Sequence, residues 1–219
     1  MSKKIIIFDL DGTLLDTLED LTLSTNYVLA KLGYPIKTKE QIRSYVGNGI
    51  IKLMQRALPN NVSKDMVENA VELFKNNYIQ KMNQCTKPYD GILELLQNLK
   101  NNKYLVAVVS NKYDKAVKQL CCKFFPNLID VAFGEDEENG IRKKPYPDIV
   151  FKILEYYNLK PEDAIFIGDS EVDIQTARNS NLDCISVTWG FKDKEFLLKN
   201  DARIFADTPQ VIIEILKNL

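Results

Sequence analysis

Asp9-Leu10-Asp11-Gly12-Thr13 and Gly168-Asp169-Ser170-Glu171-Val172-Asp173 are the two stretches of this 219-residue sequence where residue type and spacing promise chemistry. Each sets carboxylates beside small and hydroxyl residues. Such a cluster repels itself unless a cation neutralises it or some of its groups hold protons. Oxygen donors with no imidazole or thiolate among them call for a hard cation, Mg²⁺ before any other. The chain contains no histidine. That excludes Ser-His-Asp and Cys-His catalysis and imidazole zinc sites. The four cysteines, Cys85, Cys121, Cys122 and Cys184, show no C-x-x-C spacing and read as reduced packing residues. Reaction chemistry is left to carboxylates, Lys, Cys, Tyr, hydroxyls or a bound ion.

The elements that must position these carboxylates are legible as apolar runs. Ile5-Ile6-Ile7-Phe8, Leu105-Val106-Ala107-Val108-Val109 and Ala164-Ile165-Phe166-Ile167 are short, rich in β-branched residues and apolar on both faces. That pattern belongs to parallel strands covered by helices on both sides. Weaker strands are expected at 130–133, 184–187 and 202–206, with helices at 92–99, 115–125, 147–157 and 209–216. The alternation predicts an α/β fold, a doubly wound Rossmann-like parallel sheet. Ligands of such sheets bind at the carboxyl ends of the strands. The first run is followed by Asp9, the second by Ser110-Asn111-Lys112 and the third by Gly168-Asp169. A lone strand-Asp-helix junction is more often a helix N-cap than a site. Two such junctions, D-x-D-G-T and G-D-x-x-x-D, point to a site. Asp9 and Asp11, at i and i+2, are expected to face the same way.

Residues 16–84 break the alternation. Leu18, Leu21, Thr25, Val28, Leu29 and Leu32 share one helical face, which Gly33 and Pro35 stop. Thr38 with Gln41 fits a capping box for the next helix, and 50–58 and 63–82 follow as amphipathic stretches. The expected organisation is an α/β core of residues 1–15 and 85–219 with an inserted helical cap of residues 16–84. Gly47-Asn48-Gly49 with Lys52 lacks the last glycine of G-x-G-x-x-G and no strand precedes it, so a dinucleotide site is rejected. That segment is either a cap loop facing the site or a plain turn. Glu135-Asp136-Glu137-Glu138 reads as a solvated loop, Tyr156-Tyr157 as core packing, and Trp189-Gly190 as a further group that could line the site.

Composition narrows the partners. Lys and Arg number 29 against 30 Asp and Glu, and 45% of residues are hydrophobic. That is an ordinary globular composition. A formal charge of -1 argues against a nucleic-acid binder working by phosphate neutralisation. No apolar run approaches the roughly 20 residues that span a bilayer. The apolar stretch after Lys4 stops at Asp9, too soon for a signal peptide, so the cytoplasm is the expected location. Monomer and homodimer are both open.

The motifs in their order resemble the haloacid dehalogenase superfamily. Asp9-Leu10-Asp11-Gly12-Thr13-Leu14 with Asp16-Thr17 resembles its nucleophile motif. Ser110-Asn111 looks like its second motif, Lys144-Pro145-Tyr146-Pro147-Asp148 its third and Gly168 to Asp173 its fourth. The helical insertion resembles a type I cap, and the nearest branch is that of phosphoglycolate phosphatase-like enzymes. The resemblance implies a Mg²⁺-dependent phosphomonoesterase acting on a small phosphorylated metabolite through an aspartyl-phosphate. Asp9 would be the nucleophile and Asp11 the acid and base. Asp9, Asp11 (through its backbone carbonyl) and Asp169 would ligate the metal, with Asp173 a ligand or a support. Thr13 or Ser110 would hydrogen-bond the phosphoryl oxygens, with Asn111 beside them, and Lys144 would neutralise the phosphoryl charge and restrain Asp9. In the cap, Arg43, Gly47, Asn48 and Gly49 are assigned to the non-phosphate end of the substrate.

Four further readings share these motifs or this fold. A phosphomutase of the β-phosphoglucomutase type would want a basic cluster in the cap, and 16–84 shows none. A phosphonate hydrolase would use a cap lysine, for which Lys31, Lys37, Lys39 and Lys52 are available. A catalytically dead phosphoprotein-binding module fits poorly with an intact set of carboxylates and Lys144. A dehalogenase is disfavoured by the carboxylate at Asp11.

Overall fold

The computed structural model describes residues 3–136 and 140–218. Its centre is a six-stranded parallel sheet of β1 (Ile5–Phe8), β4 (Leu105–Tyr113), β5 (Val131–Glu135), β6 (Ala164–Gly168), β7 (Asp183–Val187) and β8 (Ile204–Ala206). The order across the sheet is β5-β4-β1-β6-β7-β8. The chain therefore builds outward from β1 in one direction and then returns to build the other half, leaving a crevice at the carboxyl end of β1.

Register fixes what reaches that crevice. Phe8 of β1 is level with Val108 on one side and Ile167 on the other. Asp9 and Asp169 thus emerge side by side, just past the last buried rungs. β4 runs further, and its pairing with β5 is irregular between Val109 and Tyr113. Ser110, Asn111 and Lys112 occupy that irregularity, so they lie inside the observed strand rather than after it. Irregular strand ends of this kind re-aim side chains beside functional sites.

All four residues of β1 are fully buried, which is why the run is apolar on both faces. Ile5 and Ile7 join Val109, Phe166, Ile149 and Ile153 in one core layer under α7 (Asp148–Tyr156). On the opposite side, α5 (Ile92–Asn101) packs on β4 and on α10 (Pro209–Lys217), whose Ile212 and Leu216 are buried. The remaining core helices are α6 (Asp114–Phe124), α8 (Glu171–Asn179) and α9 (Lys194–Lys199). Two aromatic and thiol expectations are corrected. Tyr156 is exposed, because the helix carrying it turns its neighbour Tyr157 toward the core instead. Cys85 and Cys122 are also exposed, so only Cys121 and the half-buried Cys184 act as packing residues.

The chain separates into two compact units, residues 1–15 with 88–219 and residues 16–87. Its two crossings between them, β2 (Leu15–Asp16) and β3 (Lys87–Pro88), form a two-stranded sheet. The second unit contains α1 (Leu18–Lys31), α2 (Lys39–Tyr45), α3 (Gly49–Ala57) and α4 (Lys64–Lys81). Val28, Leu29, Ile42, Met54 and Phe74 form its buried interior. Thr38 and Gln41 make the reciprocal capping bonds that start α2. Asp20, itself buried, accepts hydrogen bonds from the backbone amides of Cys85 and Thr86 and from the Thr86 hydroxyl, tying down the segment that leaves the unit. Among the described residues no helix is long and apolar enough to cross a membrane. The acidic stretch at 135–138 falls partly outside the described residues.

Candidate active site

Asp9, Asp169 and Asp173 each offer a carboxylate oxygen within 4.8 Å of the other two, and all three are buried. Asp9 leaves the end of β1, its amide donating to the Ile167 carbonyl at 2.9 Å. Asp169 follows β6, and Asp173 sits in the first turn of α8. Lys144, on the connection into α7 and also buried, inserts its ammonium among them. Its Nζ lies 2.8 Å from Asp9 Oδ1 and 2.6 Å from Asp173 Oδ1.

If all three carboxylates were ionised, one ammonium would leave two buried negative charges uncompensated. Burial, reinforced by Asp173 and Asp11 and opposed by Lys144, pushes Asp9 up to about 7. Burial and the charges of Asp173 and Asp9 likewise hold Asp169 well above the usual carboxylate range. Lys144 moves oppositely: burial alone would lower it, but Asp173 and Asp9 more than offset that and keep it firmly protonated. Asp9 Oδ1 is buried with no directed hydrogen bond; its 2.8 Å approach to Lys144 is an ion pair by distance only. An underbonded oxygen in a cluster of buried carboxylates that hold protons for want of positive charge fits a divalent hard cation.

The other two carboxylates are differently employed. Asp173 Oδ1 faces Lys144, and its Oδ2 accepts from both the amide and the hydroxyl of Ser170 at 3.1 and 2.6 Å. It is at once the capping partner of α8 and the anchor of Lys144. Asp11 lies beyond the end of β1, bridged to Leu15 across a turn, and the strand alternation that predicted a shared direction with Asp9 stops at Phe8. Its two oxygens take the Lys112 ammonium at 2.8 and 3.0 Å. The two aspartates of the first motif therefore have separate lysine partners.

Hydroxyl and amide groups complete the network. The buried Thr13 hydroxyl faces Asp169 Oδ1 at 3.4 Å. Ser110 Oγ accepts from the Lys112 amide at 3.3 Å, and Asn111 Nδ2 donates to the Lys144 carbonyl at 3.0 Å. Gly12 adopts φ +86°, and a Cβ there would collide with Asp169 Oδ2. Only glycine lets the first motif close onto the fourth.

The profile of the haloacid dehalogenase-like hydrolase family matches residues 6–187. The chain belongs to that family. The phosphoglycolate phosphatase of Vibrio parahaemolyticus is 32% identical to this haloacid dehalogenase-like hydrolase over 223 residues, 97% of this chain and 95% of that one. The phosphoglycolate phosphatase of Pseudomonas savastanoi is 32% identical over 227 residues, 99% of this chain and 78% of that one. Among solved structures, a Lactobacillus delbrueckii protein provisionally named phosphoglycolate phosphatase superposes with a TM-score of 0.93 at 36% identity, over 99% of both chains.

For this haloacid dehalogenase-like hydrolase, the network brings together Asp9, Asp11, Thr13, Ser110, Asn111, Lys144, Asp169 and Asp173 in the α/β unit. Arg43, Gly47, Asn48 and Gly49 belong to the helical unit: Arg43 is exposed in the last turn of α2, Gly47 and Asn48 lie in the turn into α3, and Gly49 is the first residue of that helix. Four participants had no role in the sequence reading or only a minor one. Lys112 binds Asp11. Trp189 Nε1 donates to the Thr13 carbonyl at 3.0 Å, and the Phe191 amide to Asp169 Oδ2 at 2.6 Å. Gly190 between them is so tightly packed that a Cβ would meet Asp169 and the Gly12 carbonyl. The signal available for this loop was its place after β7, one strand along from Asp169.

Proposed function

We propose that the protein is a Mg²⁺-dependent phosphomonoesterase that hydrolyses a small phosphorylated metabolite through an aspartyl-phosphate on Asp9, with phosphoglycolate the first substrate to test. The observation that carries this reading is the buried Asp9 with an underbonded oxygen, flanked by Lys144 and Asp169 and followed two residues later by a second carboxylate. The family match and the names of the relatives support the substrate class.

Asp9, the main-chain carbonyl of Asp11 and Asp169 would hold the cation, with Asp173 supporting through Lys144. When bound, the cation would offset the charge of the phosphoryl group and of the carboxylates around it. A carboxylate oxygen of Asp9 attacks phosphorus in line as the bond from phosphorus to the leaving oxygen breaks, and Asp11 gives its proton to that oxygen. A water then attacks the aspartyl-phosphate, Asp11 takes its proton, and inorganic phosphate leaves with Asp9 restored. Lys144 restrains Asp9 and faces the phosphoryl charge. The hydroxyls of Thr13 and Ser110 and the amide of Asn111 are the groups for the phosphoryl oxygens.

The test is phosphate release from a metabolite panel, with phosphoglycolate, sugar phosphates and p-nitrophenyl phosphate, in Mg²⁺ and in excess EDTA. Asp9→Asn is expected to keep its thermal transition and lose turnover by three decades or more, as loss of a nucleophile does. Activity above about 1% of wild type in that variant, or full activity in EDTA, would overturn the mechanism.

A further inference from the structure

Resting on the acid–base reading of Asp11, we propose that Lys112 is a positioning residue for that carboxylate and acts on the reaction only through it. Lys112 lies in the stretch of β4 where pairing with β5 is interrupted, and its side chain reaches the first motif. The side chain is 4% exposed and its Nζ reaches both oxygens of Asp11, at 2.8 and 3.0 Å. Its backbone is tied in turn: the amide donates to Ser110 Oγ.

A carboxylate on a turn has two free side-chain torsions, and an acid or base a fraction of an ångström out of place loses most of its effect. An ammonium bridging both oxygens removes that freedom. Lys112 takes two of the roughly four acceptor positions that a carboxylate offers, and so holds its plane. A buried ion pair adds little net stability over an apolar pair of the same volume, so folding alone is a weak reason for this geometry. The adjacent residue divides the labour: Asn111 holds the backbone of Lys144, which serves Asp9, whereas Lys112 serves Asp11.

The experiment measures kcat and KM for β-glycerophosphate, whose alkoxide leaving group needs a proton, in five proteins: wild type, Lys112→Met, Lys112→Arg, Asp11→Asn and the double variant Asp11→Asn/Lys112→Met. Lys112→Met is expected to lower kcat about 10- to 100-fold with KM within about twofold, and Lys112→Arg to restore most of the loss. The double variant is expected to be no slower than Asp11→Asn alone, since Lys112 has nothing left to hold. The double variant removes both charges of the pair together, so it stays informative even if Lys112→Met alone is destabilised, and thermal melts of all five report this. An additive further loss in the double variant, or a rise in KM with kcat unchanged, would mean that Lys112 meets the substrate itself and would overturn the proposal. If Asp11→Asn retained near-wild-type kcat, the acid–base reading of Asp11 would fall first and this inference with it. If Asp11→Asn is slow but Lys112→Met is fully active, only the inference falls.

Discussion

Asp9 and Asp169 are acids that the fold has made reluctant to ionise. Burial is the main cause for both, and the charge of Asp173 adds to each, joined by Asp11 at Asp9 and by Asp9 at Asp169. The consequence for stability has a definite sign. With Asp9 at 3.8 in the unfolded chain and about 7 in the metal-free fold, the native state binds more protons than the unfolded state between those values. The stabilisation linked to that proton is complete below about 4 and is lost by about 7; the raised Asp169 acts in the same direction. Metal-free protein should therefore melt at a lower temperature at pH 8 than at pH 5. A divalent cation displaces these protons and should raise the transition by more at pH 8, where no proton competes. Thermal scans at both pH values, with Mg²⁺ and with EDTA, check this. An equal metal-induced rise at both would mean that the cation does not bind at these carboxylates.

Strands and loops supply the precision, and the loop after β7 is a test of it. Trp189 fastens the first motif and the Phe191 amide fastens Asp169, with Gly190 wedged between them. Gly190→Ala would have to push either the Asp169 side chain or the Gly12 backbone aside. The expected result is a loss of about 1–3 kcal/mol together with a fall in kcat of about 100-fold or more, the cost of a displacement near 1 Å. Gly33→Ala is the matched control. Gly33 also has positive φ, but an added Cβ there would meet nothing within 4 Å. It should lose about 1 kcal/mol of stability and no kcat. Equal kinetic losses in both variants would remove the loop from the site. This loop also marks where sequence reading stops. The strands were legible because Ile5–Phe8 and Ala164–Gly168 are buried on both faces, and the carboxylates were legible because they follow those strands directly. Gly190 and Lys112 were not. Their roles depend on register and on an irregular strand end, which bring together residues more than a hundred positions apart, and neither has a local pattern that announces it.

At the scale of the whole molecule, the sequence reading bounds a helical insertion at 16–84, where the hydrophobic period changes from strand-like to helical and back, three residues short of the end of the compact helical unit. The observed second unit runs 16–87. The α/β unit carries every group assigned to the phosphoryl chemistry. Discrimination among phosphate esters, by the sequence reading, belongs to the helical unit, in the segment from Arg43 to Gly49. Within that unit the segment is braced. Arg56 of α3 donates to the Tyr45 carbonyl and to Asn48 Oδ1, each at 2.7 Å, across the turn where α2 ends and α3 begins. If the turn recognises an anionic non-phosphate group, Arg43→Ala should raise KM for phosphoglycolate about tenfold or more, the cost of one charge-assisted hydrogen bond. p-Nitrophenyl phosphate, which lacks that group, should be affected less than about twofold, well under that cost. Arg56→Ala should reproduce the same selectivity by loosening the turn rather than by losing a contact. Equal effects on both substrates would assign the two arginines to the stability of the helical unit or to the phosphate itself. Unchanged kinetics in both variants would leave the segment a plain helix–helix turn and move the search for selectivity elsewhere in residues 16–87.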